Sequence, residues 1–300
     1  MNFADTLRSA GLRPRDVIAD GRLRRCATDA KPAKRNGWFV LHPDGRGVWG
    51  DNAVAPRQAL GHWRDERSAE IVVSPKAQAE MAAQRDRERA YRIQAMRGAR
   101  AFWNKARPLR QPHPYIANKG LSAQGCAGLR THDGLLIVPV WHGDWIISVQ
   151  TIAQDGQKRF WAGAPVKAGA YVLDRARAAV TAICEGLATG LAVYQCVRQA
   201  RVIVAFDAGN LLPVIERIRP TGSVVVVGDN DHKTAKRIGT NPGVEKATNA
   251  ASLIGAGVVW PTGIEGSDYA DALKEIGEGA PRRIEREILA GARYVMGSGP

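Results

Sequence analysis

Short apolar runs alternate with helical patterns in the second half of the chain, and this alternation limits the fold more than any other feature. The runs are residues 178–184, 201–206, 223–229 and 256–260, and they are rich in Val, Ile and Ala. Such runs are typical of strands that are covered on both faces of a sheet. The segments between them, among them a single long helix that follows residue 229 and continues through residues 246–255, predict a mostly parallel α/β sheet with helices on both faces.

Acidic residues stand directly after, or near, the ends of these predicted strands. Glu185 follows the first run, Asp229 and Asp231 follow the third, and Asp268 with Asp271 comes after the last. Ligands of open α/β sheets bind outside the carboxyl ends of the strands, so we expect these carboxylates to meet there. Each motif alone is common, and Asp268 alone would also suit a helix N-cap. The ordered combination is much more specific.

Clustered carboxylates indicate a divalent cation, because like charges repel unless a cation compensates them. If the backbone stays extended, Asp229 and Asp231 point to the same side of the chain. Mg²⁺ takes few carboxylates and completes its coordination with water or substrate phosphates. Such sites serve phosphoryl and nucleotidyl transfer, where metals stabilise the attacking and leaving oxygens. We therefore predict Mg²⁺, or Mn²⁺, as the cofactor.

The net charge of +14 is concentrated in the first third of the chain. Residues 1–110 hold 23 Lys and Arg against 12 Asp and Glu, a balance of +11, whereas residues 111–300 hold 20 against 17, a balance of +3. A basic segment favours an anionic partner, and nucleic acid is the usual one because neutralised phosphates release counterions. The alternative is a basic surface that only serves solubility.

Residues 1–70 are predicted to form a small basic α+β domain that contacts a single-stranded DNA template. The expected elements are a helix over residues 3–10 and strands over 21–27, 37–42 and 46–51. Basic and aromatic residues are mixed here, as in proteins that stack bases and hold phosphates. The candidates for this contact are Arg22, Arg24 and Trp38. The alternative is that Trp38 and Trp49 belong to the core of the domain.

Residues 71–110 are predicted to be a helical linker, because residues 75–107 are rich in charges and good helix formers. Residues 111–175 are predicted to form the first part of a catalytic core, with a hairpin around residues 142–144. Residues 176–300 are then expected to hold the α/β sheet and its C-terminal helices.

Three further observations narrow the class of protein. No apolar stretch approaches the roughly 20 residues that a membrane helix needs, and the N-terminus lacks the apolar core of a signal peptide. The four cysteines, at positions 26, 126, 184 and 196, form no C-x-x-C pair, so no zinc is expected. We therefore predict a cytoplasmic protein without a membrane partner.

The order of the acidic motifs resembles the Toprim domain of primases, topoisomerases and related nucleases. Residues 113–121, HPYIANKGL, also resemble the segment that opens the catalytic core of the Toprim primases of conjugative plasmids and phages. Further segments similar to that group are residues 155–160, 184–190, 205–211 and 241–247. The resemblance covers about residues 111–275 and implies a Toprim-type sheet, a Mg²⁺ site and primase activity.

The resemblance also implies roles for individual residues. Glu185 would act as general acid or base or help to hold the metal, and Asp229 and Asp231 would be the main Mg²⁺ ligands, supported by Asp268. The residues expected to contact nucleotide phosphates or the template are Lys119, Lys158, Arg159 and Lys167, with Asn210 and Lys246 as weaker candidates near the site. The alternative for each basic residue is ordinary surface charge. Asp207 is expected to be structural.

Two departures from the family pattern affect these predictions. The third acidic motif is Asp-Tyr-Ala-Asp at residues 268–271, where the family often has Asp-Phe-Asn-Asp, so Asp268 and Asp271 both stay candidates for the third acid. The zinc-ribbon cysteines of the bacterial replicative primases are also missing. Many phage relatives continue into a helicase domain, and here we expect any helicase partner to be a separate protein.

The predicted function is synthesis of short RNA primers on single-stranded DNA from ribonucleoside triphosphates. Two alternatives stay open: a Toprim nuclease that uses the same metals with water as the nucleophile, and a non-catalytic protein that binds single-stranded DNA. A topoisomerase is disfavoured, because that reaction needs a further domain with a nucleophilic tyrosine. The basic segments around Lys119 and Lys158 favour primase over nuclease.

Overall fold

The structure is a computed structural model that describes residues 2–52, 61–64 and 75–296. The chain divides into two compact units, Met1–Asp86 and Arg87–Pro300. The predicted domain over residues 1–70 includes residues 53–60 and 65–70, which lie outside the described residues. In the described part of the chain, no helix combines the length and the apolar character needed to cross a membrane.

The first unit contains a short helix and an antiparallel sheet of five strands in the order β1–β2–β3–β4–β5. The elements are α1 (Phe3–Ser9), β1 (Leu12–Arg13), β2 (Arg24–Thr28), β3 (Gly37–Leu41), β4 (Arg46–Asp51) and β5 (Gly61–Arg64). The helix begins after Asn2, whose side-chain Oδ1 accepts the amide hydrogen of Asp5 at 2.9 Å. The predicted helix and the three predicted strands are confirmed in this unit.

The core of the first unit lies between α1 and one face of the sheet. Phe3 contacts Phe39 and Trp49 edge-to-face, with ring centroids 6.2 and 5.9 Å apart. Trp49 therefore belongs to the core, as the alternative interpretation held. Trp38 points to the opposite face, because side chains alternate along a strand. Its indole lies over Gly50, where an added Cβ would be 2.7 Å from the ring.

One long helix, α2 (Pro75–Lys105), contains the boundary between the two units. It ends two residues before the predicted end at residue 107. Residues 82–94 are exposed, so this charged stretch is a solvated face. The last turns belong to the second unit, where Ala99 and Trp103 are buried in one core cluster with Ile137.

The second unit also contains an antiparallel sheet of five strands in the order β10–β9–β8–β7–β6. Its elements, with one short helix, are β6 (Arg107–Pro108), α3 (Pro114–Asn118), β7 (Arg130–His132), β8 (Leu135–His142), β9 (Trp145–Ile152) and β10 (Lys158–Phe160). Strands β8 and β9 form the predicted hairpin, with Gly143 and Asp144 in the turn. Strand β10 stands at one end of the strand order and carries Lys158 and Arg159.

A six-stranded sheet follows, in the order β11–β13–β12–β14–β15, with β16 also paired to β14. The strands are β11 (Tyr171–Leu173), β12 (Val180–Cys184), β13 (Ala200–Val204), β14 (Gly222–Val227), β15 (Gly257–Val259) and β16 (Arg293–Val295). Strand β12 is parallel to β13 and β14, and β14 is parallel to β15. The other two strands, β11 and β16, pair antiparallel. The sheet is therefore mixed: the four predicted strands are parallel, and the two that sequence analysis missed are antiparallel.

Helices cover both faces of this sheet, because side chains of its strands alternate between two cores. The helices are α4 (Leu187–Cys196), α5 (Leu211–Ile218), α6 (His232–Ile238), α7 (Pro242–Ile254), α8 (Tyr269–Ile276) and α9 (Ala280–Gly291). Ala182 and Cys184 lie in a core with residues of α4, α8 and α9. Ile183, between them, lies in a second core with residues of α5 and α7.

The single long helix predicted after Asp231 is wrong, because two helices, α6 and α7, occupy this segment. Gly239 ends α6 in the left-handed conformation, with φ of 81°. Asn241 then caps α7 by accepting the Val244 amide at 3.3 Å, and Pro242 occupies the first turn, where its missing N–H costs nothing. The break places the start of α7 beside Asp231.

Candidate active site

The carboxyl ends of β12 and β14 bring the predicted acidic residues together. Cys184 and Val227 are register partners in these neighbouring parallel strands, and the Glu185 amide donates to the Val227 carbonyl at 3.2 Å. Glu185 and Asp229 therefore leave the sheet at the same edge. Asp268 occupies the N-cap of α8 and acts electrostatically on Asp229, so it belongs to the same cluster.

One side-chain oxygen of Glu185 has no hydrogen-bond partner among the described residues. This atom, Oε2, is buried. Burial raises the pKa of Glu185, and the nearby charge of Asp231 raises it further, whereas the backbone amides of Asp229 and Ala208 lower it. The net effect is a raised pKa, as expected for a carboxylate without a cation beside it.

Asp229 is the most strongly perturbed carboxylate of the cluster. Burial and the charges of Glu185 and Asp268 raise its pKa to about 8. The hydroxyl of Thr189 opposes this shift by donating a 2.9 Å hydrogen bond to Oδ1 of Asp229, and the charge of Lys158 opposes it as well. Asp229 is therefore held in place by α4 while its charge stays uncompensated.

Asn230 and Asp231 are fixed by the loops around them. The Asn230 amide donates to the Ser267 carbonyl at 2.7 Å, and its side chain bonds the Pro261 carbonyl at 2.8 Å and the Asn241 amide group at 2.8 Å. Asp231 has ψ of 43° and opens helix α6. The extended backbone assumed in the sequence analysis therefore does not continue through Asp231.

Close packing at the start of α7 also involves Asp231. The amide of Gly243 donates to Oδ2 of Asp231 at 3.2 Å. A Cβ atom at position 243 would lie 2.3 Å from the backbone oxygen of Asp229, so only glycine fits there. Asp231 is thereby held where its charge reaches Glu185.

Asp268 and Asp271 share one cation, Lys119. The Lys119 Nζ atom lies 2.9 Å from Oδ2 of Asp268 and 2.8 Å from Oδ1 of Asp271. Burial alone would lower the pKa of Lys119, but the two carboxylates raise it above its ordinary value. The pKa of Asp271 is lowered: burial opposes the shift, and the bonds from Lys119 and the Ser267 amide outweigh it. Lys119 is thus paired within the protein.

Helix capping separates the two candidates for the third acid. Oδ1 of Asp268 accepts the amide hydrogen of Asp271 at 2.7 Å and so caps α8. Oδ2 of Asp271 instead accepts the amide hydrogen of Ser267 at 3.0 Å. Of the two, Asp268 is the one whose charge raises the pKa of Asp229.

The cluster has the chemistry of a divalent-cation site, because Oε2 of Glu185 has no partner and the pKa of Asp229 is raised. Among the described residues, no group of three or more His, Cys, Asp and Glu side chains is arranged to hold one ion. A hard cation that takes one or two carboxylates and otherwise binds water and substrate phosphates does not require such a group. Asp229 and Glu185, with Asp231 beside them, are the residues that would hold it.

Comparison with family models matches residues 180–279 to the family described as Toprim domain. This match runs from β12 through the end of α8, and so includes all five acidic residues discussed above. Residues 180–279 are a Toprim domain. Glu185 opens it, directly after its first strand, and Lys119 reaches its third acidic motif from outside the matched segment.

Two curated relatives extend the similarity beyond the Toprim domain. Both are named DNA primase TraC, from Escherichia coli, and they are 30% identical over 280 residues and 31% identical over 285 residues. Each alignment covers 86% of this chain but only 26% and 19% of the relatives. The chain therefore spans about a quarter or less of the length of the relatives that it matches. The predicted resemblance to Toprim primases of the plasmid kind is confirmed.

Solved structures with partial likeness include the primase fragment of the bacteriophage T7 primase-helicase protein. It is 13% identical with a TM-score of 0.39, and the match covers 62% of this chain and 78% of that one. The DnaG primase catalytic domain bound to single-stranded DNA is 14% identical with a TM-score of 0.33, covering 55% and 68%.

The predicted phosphate-binding residues differ in their distance from the Toprim carboxylates. Lys158 lies near them, since its charge lowers the pKa of Asp229, and its Nζ atom is 5.7 Å from the centre of the Tyr115 ring. Arg159 follows it on the same exposed strand, and Lys167 is exposed in the loop before β11. These three side chains are thus accessible, and Lys158 is the one in electrostatic contact with the cluster.

The side chain of Asn210 forms hydrogen bonds with backbone groups, and its predicted contact with a ligand stays a prediction. Its Oδ1 accepts the Ala168 amide at 2.7 Å, and its Nδ2 donates to the carbonyls of Gly169 and Ala205 at 2.9 and 2.8 Å. The residue is buried, and these bonds tie the loop before β11 to the end of β13. Asp207 accepts the Asn210 amide at 3.0 Å and is structural, as predicted.

The remaining predicted binding residues belong to α7 and to the first unit. Lys246 is exposed on α7, with its Nζ atom 4.0 Å from the Cβ position of Gly209. Arg22, Arg24 and Trp38 belong to the first unit. Arg22 is exposed, whereas Arg24 forms a 2.7 Å ion pair with Asp20.

Sequence reasoning missed two residues that shape the Toprim site. Thr189 bonds Asp229, and a signal for it exists, because it lies one turn into a helix that begins beside Glu185. Asn241 accepts the Asp231 amide at 3.1 Å and donates to Asn230. No local signal marks Asn241 for this role, since its partners lie ten and eleven residues away.

Proposed function

We propose that the chain is a DNA primase that synthesises short RNA primers on single-stranded DNA by metal-dependent nucleotidyl transfer. The observation that carries the proposal is the pair of uncompensated carboxylates, Glu185 and Asp229, at the strand ends of a Toprim domain. The alignment with DNA primase TraC over 86% of the chain supports primase over other Toprim activities.

We propose Mg²⁺, or Mn²⁺, as the cofactor, held by Asp229 and Asp231 with Glu185. When bound, the ion stabilises the charge that develops on the reacting phosphate oxygens. Asp268 is the proposed third acid, because its charge acts on Asp229. Asp271 shares Lys119 with Asp268 and would also hold the Ser267 amide.

The proposed roles of the other residues follow from their partners. Oε2 of Glu185 forms no hydrogen bond within the described part of the chain and suits a proton acceptor for the attacking hydroxyl. Lys158 and Arg159, which are exposed, would contact the triphosphate or the template. Lys119 would position the third acidic motif rather than bind phosphate, because both its partners are carboxylates.

The proposed organisation keeps the predicted boundaries. Residues 111–175 would form the first part of the catalytic core and residues 176–300 the Toprim domain with its C-terminal helices. The parallel strands β12 to β15 would be the Toprim sheet proper. Residues 1–70 would bind the template, and residues 71–110 would link this N-terminal domain to the catalytic core. Ribonucleoside triphosphates, single-stranded DNA and a separate helicase are the proposed partners, and the cytoplasm is the proposed location.

The test is incorporation of labelled ribonucleotides on circular single-stranded DNA with Mg²⁺. We expect short labelled RNA from the unaltered protein and none from Asp229→Ala/Asp231→Ala. Asp144→Ala is the matched control, because Asp144 lies exposed in the β8–β9 turn, and it should be fully active. Cleavage of the template without RNA synthesis would favour the nuclease. Binding of DNA without any reaction would leave only a binding protein.

A further inference from the structure

A cleft in the first unit has five arginines in its lining. Its volume is about 390 Å³. The basic residues in its lining are Arg13, Arg15, Arg24, Arg25 and Arg35. Of the described residues that line the cleft, one is acidic, Asp16. We call this feature the arginine cleft. It belongs to the first unit, and the acidic residues of the Toprim domain belong to the second.

The arginines meet because β1 is only two residues long. Its residues pair with Ala27 and Thr28 of β2, so Arg24 and Arg25 lie beyond the end of β1. The chain after β1 carries Arg15 along this open stretch. Arg35 comes from the turn between β2 and β3 and donates to the backbone carbonyl of Arg25 at 3.2 Å. A short edge strand thus creates a concave site with guanidinium groups around it.

Two of the five arginines have carboxylate partners within the unit. Arg13 pairs with Asp29 at 2.6 Å, and Arg24 pairs with Asp20 at 2.7 Å. Neither of these acids lines the cleft. Even so, the Nε atom of Arg24 is buried without a hydrogen-bond partner among the described residues. A buried donor that is left unpaired costs free energy, so a ligand that accepts from it would be stabilised.

The other three arginines carry uncompensated charge. Arg15 and Arg25 form no ion pair with any described residue, and the hydrogen bond of Arg35 goes to a neutral carbonyl. Asp16 is exposed at the rim. Guanidinium groups present forked donors that match phosphate oxygens. Three unpaired guanidiniums around one cleft exceed what a single phosphodiester, with one negative charge, would neutralise.

We propose that the arginine cleft binds the terminal phosphate or triphosphate group of a nucleotide or of a nucleic acid 5′ end. Such a group carries two or more negative charges in a small volume, which matches three unpaired guanidiniums. A backbone phosphodiester does not. The site is independent of the proposed catalysis, because none of its residues belongs to the Toprim domain.

The test measures binding to the full chain in EDTA, so that no divalent metal links phosphates to the Toprim carboxylates. The ligands are inorganic triphosphate, and one oligonucleotide carrying either a 5′-triphosphate or a 5′-hydroxyl. We expect the 5′-triphosphate strand to bind about tenfold more tightly than the 5′-hydroxyl strand, and inorganic triphosphate to compete for this difference.

The variants are Arg15→Ala and Arg25→Ala, each expected to weaken inorganic triphosphate binding about tenfold. Arg25→Lys keeps the charge but loses the fork, and should be intermediate. Arg46→Ala is the matched control, because Arg46 is exposed in the same unit, pairs with Asp44 and does not line the cleft. Thermal unfolding checks that the variants fold, which we expect because Arg15 and Arg25 have no carboxylate partner among the described residues.

Two results would overturn the proposal. Equal affinity of Arg15→Ala, Arg25→Ala and the unaltered protein for inorganic triphosphate would mean that the arginines are only a solvated basic face. Equal binding of the 5′-hydroxyl and 5′-triphosphate strands, both weakened by the variants, would mean that the cleft holds backbone phosphates instead. If an alanine variant does not fold, the comparison of Arg25→Lys with Arg46→Ala still decides between these outcomes.

Discussion

The Lys119 Nζ atom lies 2.9 Å from Oδ2 of Asp268, although the two residues are 149 positions apart in the chain. The bond joins the end of α3 to the third acidic motif of the Toprim domain. The contact of Lys119 with phosphate stays a prediction, and within the protein its partners are carboxylates. Lys119 holds two neighbouring carboxylates, Asp268 and Asp271, that would otherwise repel each other.

Replacing Lys119 by Met should destabilise the protein by about 1–3 kcal/mol, because two partly buried carboxylates lose their cation. The side chain of Asp268 is only 13% exposed, so water compensates little. The pKa of Asp271 is lowered in the folded state, so its contribution is present above its ordinary pKa and disappears as the pH falls. The loss measured by urea unfolding should therefore be larger at pH 7 than at pH 3. Lys274→Met is the control, since Lys274 bonds a carbonyl; equal losses would contradict the prediction.

Asp268 and Asp271 should differ in their effect on metal binding. Asp268→Asn removes a charge that acts on Asp229, so the Mg²⁺ concentration needed for half-maximal activity should change markedly. Asp271→Asn removes a charge that Lys119 and the Ser267 amide already engage, and should mainly lower stability. A Mg²⁺ titration of primer synthesis for both variants makes the comparison. The reverse order would make Asp271 the third acid.

Thr189→Val should weaken metal binding without changing the fold. The hydroxyl that is lost donates to Asp229 at 2.9 Å, and the substitution keeps the side chain's shape. Groups that orient a metal ligand in this way typically contribute 10- to 100-fold in affinity or activity, and we expect about that loss. Thr189→Ser keeps the hydroxyl and is the control. Unchanged Mg²⁺ dependence in Thr189→Val would show that the bond does not matter.

Asp229→Asn should stabilise the metal-free protein near pH 8. The pKa of Asp229 is about 8 in the folded chain and ordinarily 3.8, so the folded state favours the protonated form. The contribution of Asp229 to the stability of the folded state is therefore greatest below pH 4 and falls as the pH rises towards 8. Asn resembles the protonated acid and escapes this loss.

Thermal unfolding in EDTA tests this expectation for Asp229. The melting temperature of Asp229→Asn should exceed that of the unaltered protein by about 2–4 °C at pH 8, which corresponds to about 1 kcal/mol. The two should converge near pH 4. Adding Mg²⁺ should raise the melting temperature of the unaltered protein and barely affect the variant. A lower melting temperature for the variant at pH 8 would contradict the assigned charge repulsion.

Asn210→Ala should act on stability and not on substrate affinity. Its side chain bonds Ala168, Gly169 and Ala205 in a buried position, and its loss leaves those backbone groups without partners. We expect a loss of about 2–3 kcal/mol in urea unfolding. Asn118→Ala is the control, because Asn118 is exposed. A variant of normal stability with weakened nucleotide binding would restore the original prediction of a ligand contact.

Local patterns were sufficient to predict the strands that carry the Toprim site. The runs ending at Cys184 and Val227 are apolar on both faces, and the acids that follow them therefore had to leave the sheet at its carboxyl edge. The strands β11 and β16 escaped prediction, because each is only three residues long and pairs antiparallel, outside the alternation of parallel strands and helices. The break between α6 and α7 was also missed. Gly239 and Pro242 mark it, but they stand within a segment whose helical pattern continues on either side.

The sequence by itself determined the parallel strands, the acidic cluster and the concentration of positive charge in the first third, since each depends on neighbouring residues. Only the tertiary structure decided which groups compensate one another. Lys119 pairs with two carboxylates. The side chain of Asn210 forms hydrogen bonds with backbone groups, and five arginines line one cleft beside a two-residue strand. These outcomes depend on distances between residues far apart in the chain, and a charge has no preferred partner until folding brings one within reach.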